Sequence, residues 1–151
     1  MPFIDISRPL RTGSPHWPGD CATELTATAR MADGASCNVG RLSLSLHNGT
    51  HLDAPFHYDA RGATIESVDP ARLIGPARVI DARGCATLGT ELLAQFGATL
   101  ATTPRILFRT DAWKDPEVFP ARWPRLEPGF AGWLRERGVT LVGLEIGRAH
   151  V

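Results

Sequence analysis

The chain has 151 residues, 43% of them hydrophobic and 21% charged, with 16 basic residues balanced by 16 acidic ones. That length suits one domain with its own core, and the zero net charge argues against a nucleic-acid footprint or an acidic tail. No apolar run reaches the roughly 18 residues of a membrane span. The first residues carry no signal-like stretch, and Cys21, Cys37 and Cys85 form no C-x-x-C pair, so reduced thiols and a cytoplasmic location are expected.

In chain order, Phe3-Ile4-Asp5-Ile6 alternates apolar and polar and reads as a short strand. Pro15, Pro18 and Gly19 then interrupt regular structure. Residues 39–46 alternate through Leu42, Leu44 and Leu46, which predicts a half-buried strand. Residues 78–81 form the next strand candidate. Residues 88–96 carry Leu92, Leu93 and Phe96 at helical spacing, with Gly97 beyond the end. A strand over 105–110 and a helix over 128–137 follow, with Gly138 at the C′ position. A buried strand over 139–144 completes a strand–helix–strand order that predicts a right-handed crossover. The fold class is therefore α/β, one domain over residues 1–144 with a mixed β-sheet and flanking helices.

One segment concentrates chemistry. His47, His51, Asp53 and His57 fall within eleven residues, and they include three of the five histidines. Imidazole nitrogens and a carboxylate are ligands that zinc or manganese accepts, and one carboxylate can bridge two ions. In extended chain His51, Asp53 and His57 point to one face. Asn48-Gly49 is a strong turn signal that could fold His47 back beside them. Pro55 removes a backbone donor and places the segment at an edge or in irregular chain. A lone histidine is usually structural; four such groups in register favour a metal site.

The spacing reproduces the pattern H-x-G-T-H-x-D-x-P-x-H at His47, Gly49, Thr50, His51, Asp53, Pro55 and His57. On this motif the chain resembles the cyclase family, whose bacterial members include kynurenine formamidases. The likeness extends through Trp17-Pro18-Gly19-Asp20, residues 37–40, residues 75–81 and residues 138–143. The resemblance implies that His47, His51 and Asp53 bind metal, with Asp53 bridging two ions per subunit in the intact protein. It implies zinc first and manganese as an alternative. It makes His57 the general acid/base and puts Trp17 against an aromatic substrate. It further implies hydrolysis of N-formyl-L-kynurenine to L-kynurenine and formate, and a homodimer. A different amide such as isatin is the alternative substrate, and a catalytically inactive fragment the alternative of another class. No G-x-S-x-G elbow is present, which separates the chain from serine-dependent formamidases.

The family's further histidine and glutamate ligands are expected downstream of this chain, in a C-terminal part that it lacks. Residues 145–151 match the translation of a common sequencing-adapter DNA and are expected to be a non-native tail. Glu145 and His150 are therefore not nominated as ligands.

Overall fold

Two short, largely exposed strands begin the regular structure. The computed structural model describes residues 4–146; Phe3 and, of the expected tail, residues 147–151 lie outside the described residues. The chain divides into two compact units, Met1–Ile65 with Pro116–Phe119, and Glu66–Asp115 with Pro120–Val151.

In the first unit, β1 (Glu24–Ala29) pairs antiparallel with β2 (Val39–Ser43), with Leu25 opposite Leu42 and an irregularity between Ala27 and Ala29. All of β2 is exposed. The half-buried strand expected over residues 39–46 is thus shorter and barer than its alternation indicates. It stops at Ser43, and Leu46 beyond it is 86% exposed. Alternation buries a face only where a second layer covers it, and the sheet formed here has two strands. Residues 4–6 form no strand. The Asp5 carboxylate instead accepts a hydrogen bond from the Ser7 amide at 2.8 Å, a local turn that competes with strand pairing.

The second unit holds the apolar core. Strands β3 (Ala77–Asp81), β5 (Arg105–Arg109) and β7 (Leu141–Leu144) form a parallel sheet in the order β3-β5-β7. Between them in sequence, β4 (Thr87–Leu88) and β6 (Arg125–Leu126) pair in parallel as a short second ladder. Ile80, Ile106 and Phe108 of the sheet pack in one cluster with Leu88, Leu93, Leu100, Phe130 and Leu134. Burying each such side chain contributes about 1.5–3 kcal/mol. The α/β class stands, although the described residues build three small sheets rather than one mixed sheet.

The helix expected over 88–96 is a 3₁₀ tract over Thr90–Leu100, broken by Gly97 at φ 38° and ψ −123°. Gly97 therefore joins two short helical pieces rather than following one. Helix α1 (Phe130–Glu136) ends as its sequence predicts. The Gly138 amide donates to the Arg135 carbonyl and the Val139 amide to the Leu134 carbonyl, the paired bonds of a Schellman ending. Beyond β7, the Glu145 carboxylate accepts hydrogen bonds from the Thr110 hydroxyl at 2.6 Å and from the Thr110 amide at 2.9 Å. Burial pushes this carboxyl up, but the bonds from Thr110 and Asp111 outweigh burial and hold it below its usual value. Among the described residues no helix is long and apolar enough to cross a membrane.

Candidate metal centre

The ligand segment leaves β2 as irregular chain and is fixed by side chains that precede it. The Ser45 hydroxyl donates to the Asp20 carboxylate at 2.8 Å and accepts from the His47 amide at 3.3 Å. Asp20 is itself placed by a turn in which its amide donates to the Trp17 carbonyl across Pro18 and Gly19. The hydrogen-bonded turn falls earlier than expected, across Leu46 and His47, and Asn48-Gly49 follows it as a bend. The Asn48 amide donates to the Ser45 carbonyl at 3.0 Å, and Gly49 adopts φ +71°, where a side chain would also run into Leu10. The Thr50 hydroxyl then accepts from the Arg8 amide at 2.9 Å.

This path brings His47, His51 and Asp53 together. One donor atom from each lies within 4.8 Å of the others. His47 Nδ1 is 3.1 Å and His51 Nε2 is 3.3 Å from the same oxygen, Asp53 Oδ1. The three side chains are between 33% and 38% exposed, so solvent and ions reach them.

The donor chemistry fits a cation. His51 Nδ1 lies 3.0 Å from the Gly49 carbonyl. A carbonyl only accepts, so that nitrogen carries the hydrogen. In neutral imidazole His51 Nε2 is then a lone pair, and it faces a carboxylate oxygen. A nitrogen lone pair facing a carboxylate oxygen at this distance is a donor set that a divalent cation can take. A carbonyl holding the far nitrogen of a ligating histidine is also the usual outer support of a metal site.

His57 arrives differently from the expectation. Residues 51–54 are irregular, and Pro55–His57 form a 3₁₀ turn, so His57 does not continue an extended face. Proline is suited to such a start because its φ is preset and its missing donor is not needed there. The turn closes with the His57 amide on the Ala54 carbonyl at 2.9 Å and the Tyr58 amide on the Pro55 carbonyl at 3.1 Å. The Phe56 amide also donates to the Ala63 carbonyl at 3.1 Å. This last contact brings Gly62 against the backbone of Pro55, where an added Cβ would lie 2.6 Å from the carbonyl carbon. The His57 ring stands 4.1 Å from the His47 ring and 4.2 Å from that of Tyr58, against one of the three donor residues.

Trp17 is half-buried and meets Phe119 edge to face, with centroids 5.7 Å apart. Residues 116–119 thus fold onto the first unit, where Glu117 also pairs with Arg11. The supporting residues Asp20, Ser45, Asn48, Gly62 and Phe119 are absent from the motif's metal reading. In the sequence Asp20 stands out only within the Trp17–Asp20 likeness, and Asn48 only as a turn signal.

The Cyclase family model matches residues 4–149. The chain is 37% identical over 144 residues to a kynurenine formamidase of Bacillus cereus, covering 95% of this chain and 68% of that protein. A kynurenine formamidase of Geobacillus thermodenitrificans is 37% identical over 145 residues, covering 96% and 68%. A solved structure described as a predicted metal-dependent hydrolase from Bacillus stearothermophilus superposes with a TM-score of 0.71 at 22% identity, over 97% of this chain and 71% of that one. At that identity the superposition speaks for the fold.

Proposed function

Because the chain belongs to the cyclase family and is one of its amide hydrolases, we propose that it cleaves N-formyl-L-kynurenine to L-kynurenine and formate, using a divalent ion held by His47, His51 and Asp53. The observation that carries this reading is the convergence of both histidines on Asp53 Oδ1, at 3.1 and 3.3 Å. The substrate comes from relatives that bear the kynurenine formamidase name. Zinc is the first choice of ion and manganese the second, since the nitrogen and oxygen donors suit both. When bound, such an ion polarises a carbonyl oxygen and lowers the pKa of water from 15.7 towards about 7.

The chain's own groups do the rest. His57 takes a proton from the attacking water as the new C–O bond forms at the formyl carbon. It returns that proton to the aniline nitrogen as the C–N bond breaks, so formate and the free amine leave. Imidazole both accepts and donates a proton, so one side chain serves both transfers. The His57 ring lies 4.1 Å from that of the proposed ligand His47, close enough to work on the same water. Trp17, braced by Phe119, offers a face for the substrate's aromatic ring. A soluble homodimer in the cytoplasm belongs to the same reading.

The test is hydrolysis of an aryl formamide by the purified chain before chelation, after chelation, and after zinc or manganese is restored. Activity lost with the metal and recovered with it supports the reading. Activity indifferent to chelation, or hydrolysis of unrelated amides but not of aryl formamides by the loaded chain, overturns it.

A further inference from the structure

We propose that Asn48 is a positioning residue for the metal centre, acting through a clamp on Cys21 and Thr23. The inference rests on the metal reading of His47, His51 and Asp53. Asn48 lies between a proposed ligand and Gly49, and its side chain points inward, with only 5% of the residue exposed. Its Nδ2 donates to the Cys21 carbonyl at 3.1 Å and to the Thr23 hydroxyl at 3.2 Å. The carbonyl can only accept, so the amide orientation is determined. The Thr23 side chain is fully buried.

The other end of the amide is informative. Asn48 Oδ1 is buried and has no hydrogen-bond partner. A buried acceptor left unpaired is costly. The donor end therefore does the work, with its two acceptors 27 and 25 residues away in sequence. Together with the Asp20–Ser45–His47 chain, the clamp hangs the ligand turn on residues 20–23. In the first unit Asn48 and Thr23 are the buried residues among those described. Among the described residues of that unit no apolar side chain is buried, so the clamp has no buried apolar core beneath it. Removing it frees His47 and His51 to drift relative to Asp53, and supports one step removed from a metal typically carry 10- to 100-fold in affinity.

The experiment titrates the metal-free full chain with Co(II), reading the dissociation constant and the visible ligand-field spectrum. The unfolding midpoint of each metal-free variant is the control. Asn48→Leu keeps the volume and deletes both donors. Thr23→Val deletes one acceptor outside the ligand segment, and Thr23→Ser restores it. Expected are a roughly 10- to 100-fold weaker Co(II) constant and an altered spectrum for Asn48→Leu. A smaller loss is expected for Thr23→Val, with recovery in Thr23→Ser. If Asn48→Leu does not fold, the Thr23 pair decides. Wild-type affinity and spectrum in a folded Asn48→Leu or in Thr23→Val overturn the clamp alone. A wild-type chain that takes up no Co(II) overturns the metal reading itself, and the clamp with it.

Discussion

The two units of the chain are held by different physics. Every buried large hydrophobic residue among those described, from Ile80 to Leu134, belongs to the second unit. The first unit buries Thr23 and Asn48, both polar, and leaves Leu25, Val39, Leu42 and Leu46 exposed. Yet the first unit carries all the proposed metal ligands. Stability and site geometry are thus largely separate properties of this chain. One rests on apolar burial, which is strong and tolerant of direction. The other rests on hydrogen bonds and tight backbone approaches, which are individually weak but directional.

Mutations can break or sharpen this division. The largest expected effect is Asp53→Ala, which removes the oxygen both histidines address and should abolish metal retention after dialysis. Unchanged metal content would place the ion elsewhere. His57→Ala should keep the metal and lose turnover on the order of 10²–10⁴-fold; full activity would remove His57 from its role. Phe130→Ala probes the other unit. Phe130 is 1% exposed and packs with Phe108 and Trp133, so a loss of about 3–5 kcal/mol in denaturant unfolding is expected. A loss under 1 kcal/mol, or one accompanied by changed metal affinity in the folded protein, would blur the division.

Gly62→Ala lies between these extremes. Its Cβ meets backbone rather than a flexible side chain, so the turn that bears His57 must move. A cost of about 1–3 kcal/mol is expected, with turnover reduced and metal content intact. The smallest effect concerns Glu145. Its carboxyl titrates lower in the folded chain than in the unfolded one, so its stabilisation is present above the ordinary carboxylate pKa and fades as pH falls through the folded value. Glu145→Gln should cost roughly 1 kcal/mol near neutral pH, and the difference from wild type should shrink in acid. A pH-independent difference would deny the ionic part of the Thr110 contact.

Legibility in the sequence follows the same division. Strands β3, β5 and β7 and helix α1 were readable because their apolar residues face a core that exists, and Gly138 closes α1 with the predicted bonds. The alternation at residues 39–46 does not translate into burial, because among the described residues β2 is exposed along its whole length. The helical spacing of Leu92, Leu93 and Phe96 was real, but it does not distinguish a 3₁₀ tract from an α-helix, nor show that Gly97 would fall inside. At the site, residue types and spacing exposed the three donors. The spacing argument for His57 presumed extended chain, whereas Pro55 starts a turn. The supports could not be read, because Asp20 to Ser45 and Thr23 to Asn48 are each contacts across 25 residues that leave no local pattern.

The polar attachment of the ligand turn also bears on how the site comes apart. Opening the Asn48 clamp would wet two hydrogen bonds and little hydrocarbon. Heat capacity and denaturant sensitivity both scale with the apolar and total surface released. The turn should therefore exchange its amide hydrogens through a local opening that urea barely accelerates, while the β3-β5-β7 sheet exchanges only through a steeply urea-dependent global event. Denaturant would then be a poor way to strip the site, and a competing chelator a good one.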